Sequence, residues 1–124
     1  MTKQYKYTAA EAFKASKHGI DLTIYGQVMP HASIAQVNVE KGHFEEFYQD
    51  VSTFTYYIIS GKGTFYLDDE PITAEAGDII AIPPKTHIHY FGKMQMLLIV
   101  SPAFNETTEH HVRFINEDEA PNQK

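Results

Sequence analysis

A chain of 124 residues with 43% apolar residues and no cysteine has room for one globular core, and it lacks both a disulfide framework and thiolate chemistry. A net charge of −6 with a single arginine, Arg113, excludes the basic stripe that a nucleic-acid surface needs. No run approaches the roughly 20 apolar residues of a membrane span, and no N-terminal run resembles a signal peptide, so the expected setting is cytoplasmic, with no nucleic-acid and no membrane partner.

In chain order, Thr8-Ala-Ala-Glu11 has the form of a capping box ahead of Ala12 and Phe13 and predicts one short helix ending by Gly19. Strands follow. Leu22, Ile24, Val28 and Met29 surround Gly26 and stop at Pro30, and 34–40 alternates apolar and polar positions until Gly42. Residues 54–59 are aromatic and β-branched. A turn is predicted at Gly61-Lys62-Gly63, a strand at 64–67, a turn at Asp68-Asp69-Glu70-Pro71 and a strand at 72–75. Gly77-Asp78 turns into 79–82, 87–91 follows the Pro83-Pro84 pair, Gly92-Lys93 turns again, and 94–100 is a long apolar strand. Short strands separated by closely spaced turn signals predict an all-β sandwich or barrel. The chain divides into an N-terminal extension with the helix (1–19), a barrel (20–115) and an acidic flexible tail (116–124).

Two glycine-framed stretches resemble the motifs of the cupin superfamily, the small RmlC-like jelly-roll barrels. Gly42 and Gly61 fall at the spacing of the outer glycines of the first motif, G-x5-H-x-H-x3/4-E-x6-G. The run Tyr56-Tyr-Ile-Ile-Ser-Gly-Lys-Gly63 looks like its strand-turn-strand, and Gly77-Asp78 with Pro83 fits the start of the second motif, G-x5-P-x-G-x2-H-x3-N. The resemblance covers about 33–103 and implies a double-stranded β-helix. It implies no single activity, because cupins host many chemistries. At the positions where the family places metal ligands, this chain has Tyr48, Asp50 and Phe54 in the first frame and Ile88 in the second. Lys85 replaces the second motif's glycine and Gly92 its asparagine.

Ile88 is flanked by His87 and His89, and a slip of one residue exchanges the faces of a strand. A bulge near Pro83-Pro84 would turn the histidines inward. Together with His43 and Glu45, two apart after Gly42, they would then form a ligand set for a divalent metal (Fe, Mn, Ni or Zn). In the strict register the metal site is lost. Tyr48, Asp50, Phe54 and Tyr56 then share a face, provided that no turn at 50–53 breaks the strand. With His89 they are the expected ligand-binding residues of an aromatic-walled pocket. His18 is expected at a helix end, His31 in a turn, and His110-His111 beyond the last barrel strand.

Three roles are compatible with this pattern. One is a small-molecule-binding cupin with a degraded or absent metal site, with a His-Tyr pair doing acid–base work if it is an enzyme. Another is a metal-dependent oxygenase or isomerase acting on a small polar substrate, with ligands relocated around His87 and His89. The third is a structural or sensing jelly roll. The long apolar strand near 96–100 and the N-terminal segment suit a homodimer.

Overall fold

The computed structural model describes residues 5–120. Nine strands form one curled sheet, and the only helical elements among the described residues are two single 3-10 turns. The strands are β1 (Phe13–Lys17), β2 (Ile20–Met29), β3 (Ala32–Val39), β4 (Gly42–Gln49), β5 (Thr53–Leu67), β6 (Glu70–Glu75), β7 (Ile79–Ile82), β8 (Ile88–Ser101) and β9 (Glu109–Phe114). They are ordered β1-β2-β3-β8-β4-β9, with β5 joining β6, β7 and β8. The all-β jelly roll expected from the sequence is the observed fold.

The N-terminal helix is absent. Thr8 and Glu11 do exchange side-chain and backbone hydrogen bonds (Thr8 Oγ1 to Glu11 Oε1, 2.8 Å; Glu11 N to Thr8 Oγ1, 3.3 Å), but they close a single turn. The next residues pair with β2 in the register Phe13↔Ile24 to Lys17↔Ile20. His18 (φ 49°) and Gly19 (φ 91°) make the connection with two left-handed residues, which suits a tight two-residue hairpin. A helical turn isolated from any packing face is marginal, and cross-strand pairing wins. In the segment expected as a flexible tail, 116–120 folds into a 3-10 turn. Arg113 Nη1 holds Glu119 Oε1 at 3.1 Å and Lys41 Nζ holds Glu117 Oε1 at 2.8 Å. Residues 121–124 lie outside the described part.

β5 and β8 are the spine of the barrel, running antiparallel from Thr53↔Ser101 to Leu67↔Ile88. The turns expected at Gly61-Lys62-Gly63 and Gly92-Lys93 are instead bends inside these two strands, where Lys62 faces Lys93 and Gly63 faces Gly92. Glycine is needed at Gly92 for a physical reason. Its φ is +131°, and a Cβ there would stand 2.5 Å from Gly63 Cα and 2.5 Å from Lys62 O. The paired glycines let two backbones turn a barrel corner in contact. Gly92→Ala is therefore expected to cost more than about 2 kcal/mol, read as a lowered urea midpoint with an unchanged m-value.

Alternation along β8 sets the interior: Ile88, Tyr90, Met94, Met96, Leu98 and Val100 are all buried in the core, with Phe54, Tyr56, Ile58 and Phe65 of β5 beside them. Lys85, at the family's glycine position, takes the left-handed backbone itself (φ 71°), and its N–H donates to Gln49 O at 2.7 Å. The turn therefore keeps its length without glycine, and Ile88 points inward as the strict register requires.

Candidate active site

The barrel holds a half-open cavity of about 400 Å3 whose walls are mostly apolar. β2 and β3 supply aliphatic side chains, among them Leu22, Ile24 and Val37. Phe47, Phe54 and Leu98 add to the lining, and His43, Glu45, Tyr56, Tyr90, Lys17 and Glu109 are its polar members. This is the usual make-up of a small-molecule site: a greasy wall and a few convergent polar groups.

His43 sits opposite Tyr90 in the β4–β8 ladder. Its ring lies 5.3 Å from the Tyr90 ring and 5.2 Å from Phe47. It is 3% exposed, and neither ring nitrogen has a hydrogen-bond partner among the described residues. Burial, with smaller contributions from the charges of Lys17, His18 and His89, pushes its pKa down to about 3. At neutral pH it is a neutral imidazole with an unused lone pair. Tyr56 and Tyr90 are neighbours in the wall, their rings 5.7 Å apart and nearly edge to face (68°). Burial raises both phenols well above their ordinary value, so both keep their protons. Glu109 is raised by burial, a shift that Lys17, 4.0 Å away, opposes.

Of the residues expected to line the pocket, Phe54 and Tyr56 do so. Tyr48, Asp50 and His89 do not; they lie on the other face of the sheet. Relative to β8, β4 carries two extra residues between His43 (opposite Tyr90) and Phe47 (opposite Ile88), an even number that keeps one parity, and the inward side chains are His43, Glu45 and Phe47. Counting from Gly42 selects the wrong parity. The turn after β4 then restores Phe54 and Tyr56 to the interior. Gln49 builds that turn: its Oε1 accepts from Val51 N (2.9 Å) and Ser52 N (3.2 Å), and its Nε2 donates to Thr108 Oγ1 (2.7 Å).

On the outer face, Glu46 Oε2 accepts from His87 Nδ1 at 2.9 Å and Glu46 Oε1 from Arg113 Nε at 3.0 Å, with His89 Nδ1 3.7 Å away. Tyr48 is stacked between His87 and His110, with ring centroids at 4.9 and 4.8 Å, and His89 stacks on Tyr66 at 5.0 Å. Asp50 Oδ2 bonds His110 Nε2 at 2.6 Å. His110 and His111 lie on β9, paired with β4, rather than beyond the sheet. The four conditional metal ligands are thus divided between two faces, His43 and Glu45 inside, His87 and His89 outside. Among the described residues no group of three or more histidine, aspartate or glutamate side chains converges to hold a metal ion. Phe54, where the family frame has a glutamate, and Ile88, where it has a histidine, are core hydrocarbons. These donors do not fit a cupin metal centre.

Sequence reasoning missed Tyr90 and underused His43. The signal for Tyr90 was its parity with Ile88, the residue placed inward.

A barrel of this topology around a half-open cavity defines a cupin, and residues 35–100 match the cupin domain model. The chain belongs to the cupin family. It is similar to Pac13 of Streptomyces, described as a nucleoside dehydratase, at 56% identity over 96% of this chain and 99% of that one (TM-score 0.92). Variants of that protein with a histidine changed to glutamine, or either of two tyrosines changed to phenylalanine, have been solved with uridine; they are 55–56% identical to this chain, with TM-scores of 0.93. KdgF of a Halomonas species shares the fold at 16% identity, covering 84% of this chain and 98% of that one (TM-score 0.70). No curated protein matches. No helix among the described residues is long and apolar enough to cross a membrane.

Proposed function

We propose that this protein is a metal-independent nucleoside dehydratase in which His43 is the base and the Tyr56–Tyr90 pair is the hydrogen-bond donor. The observation that carries the reading is a neutral, unpartnered imidazole beside two protonated phenols in an apolar cavity. The histidine and two tyrosines substituted in the Streptomyces relative have the same spacing along the chain as His43, Tyr56 and Tyr90.

Dehydration removes a proton from one carbon and hydroxide from the next. Neutral imidazole accepts the first and, as imidazolium, returns it to the departing hydroxide, which leaves as water. Each protonated phenol offers its O–H to an oxygen of the substrate. Apolar walls strengthen both contacts by excluding water. A buried imidazole is too weak a base for an unactivated sugar C–H, so the substrate needs a carbonyl beside the carbon that is deprotonated. The volume of about 400 Å3 is in the range of small-molecule sites.

Calorimetry with uridine and mass spectrometry with nucleosides oxidised to a carbonyl on the ribose test the reading. Expected are saturable uridine binding and loss of one water per nucleoside. Absence of both at millimolar ligand would sink it.

A further inference from the structure

Glu45 shares the cavity wall with His43, two residues along β4, and is itself only 9% exposed. Its Oε1 stands 3.8 Å from His43 Nε2 and 3.8 Å from His18 Nε2. Its Oε2 accepts a hydrogen bond from His111 Nδ1 at 2.8 Å, and the His111 side chain is 43% exposed at the surface end of this line. We propose that Glu45 is a positioning residue for His43: it fixes the proton of the neutral ring on Nε2, leaves Nδ1 as the basic atom, and stabilises the imidazolium formed when Nδ1 takes a proton. This rests on the reading of His43 as the base.

An ionised carboxylate only accepts, so the imidazole nitrogen that faces it carries the hydrogen and the other keeps the lone pair. A gap of 3.8 Å exceeds a hydrogen bond, and because His43 Nε2 is shielded from water it is the tightening on substrate binding that closes it. The need for an anion follows from the surroundings of His43. Lys17 and His18 approach from β1 and its turn, His89 from β8, and each opposes a positive charge on the ring, as does burial itself. Tyr56 and Tyr90, from β5 and β8, stay uncharged. Glu109 on β9 is engaged with Lys17. Glu45 is therefore the carboxylate left to compensate the imidazolium, and the His111 contact holds its Oε2 so that Oε1 faces inward.

Imidazole 15N spectra of the ligand-free protein, with His43 assigned by His43→Gln, read this without reference to activity. The wild type is expected to show His43 as the Nε2–H tautomer. Glu45→Gln is expected to mix the tautomers near neutral pH. In the dehydration assay the same variant should lose kcat about tenfold at little change in KM. His111→Asn, at the surface end, should give a smaller mixing of the same kind and serves if Glu45→Gln does not fold. An Nδ1–H tautomer in the wild type, or tautomers left unmixed in these variants, overturns the role of Glu45 whether or not nucleosides are dehydrated. Intact tautomer effects in a protein that never releases water from a nucleoside would instead refute the base assignment.

Discussion

Glutamine in place of His43 is expected to lower kcat for nucleoside dehydration by about 10²–10⁴-fold while uridine still binds. Glutamine keeps the size and polarity of the side chain but cannot take a proton near neutral pH, so the cavity survives and the proton transfer does not. The separation of kcat from binding is the informative result. His43 lies within an enclosed wall formed with Phe47 and Tyr90, so a packing role alone would weaken uridine binding as well. Phenylalanine at Tyr56 or Tyr90 removes one hydroxyl of the pair and leaves the other, and each is expected to lose less than the histidine variant. Calorimetry together with single-turnover rates distinguishes these outcomes. A His43→Gln enzyme within a few-fold of wild type would remove His43 from the chemistry.

The same histidine governs stability against acid. Its folded pKa, about 3, lies well below the ordinary value of 6.5. Between those values the unfolded chain binds a proton at this position that the folded chain refuses, so stability rises with pH through the window and is lost as pH falls from 6.5 towards 3. Above 6.5 this group contributes no slope. The whole effect is on the order of 5 kcal/mol, a large part of the stability of a domain this size. Urea unfolding at a series of pH values should therefore show an acid-side decline, and His43→Gln should flatten it. The difference between wild type and His43→Gln isolates the buried ring. Equal slopes in the two proteins would show that His43 protonates as freely folded as unfolded.

Much of the barrel was legible because its signals are local. The Asp68-Asp69 pair predicted a tight turn, and both residues take left-handed backbone (φ 51° and 67°). Gly77-Asp78 and the apolar run 79–82 were read at their true positions. Three failures have physical causes. The glycines at Gly61, Gly63 and Gly92 read as turns because a sequence does not say whether a flexible residue reverses the chain or lets two strands touch. β9 escaped notice because, as an edge strand held by side-chain ion pairs, it has no apolar alternation to announce it. Tyr48 and Asp50 were assigned to the pocket because they were counted on one strand with Phe54 and Tyr56, whereas the turn built by Gln49 exchanges the parity between β4 and β5. Phe54 and Tyr56 were placed correctly because they face Val100 and Leu98 across a regular ladder.

Alternation along β4 gives one short segment two complete polar repertoires. Read on the odd positions, it offers an imidazole, a carboxylate and a phenyl ring to the cavity, in His43, Glu45 and Phe47. Read on the even positions, it offers Phe44, Glu46 and Tyr48, a different pairing of acid and aromatic already neutralised by Arg113 and the outer histidines. Losing a single residue within this segment would exchange the two sets without altering any side chain. Such a barrel could trade one interior chemistry for another by a length change rather than by substitution. Relatives that align well in sequence would then be poor guides to each other's reactions unless the count along this strand also agrees.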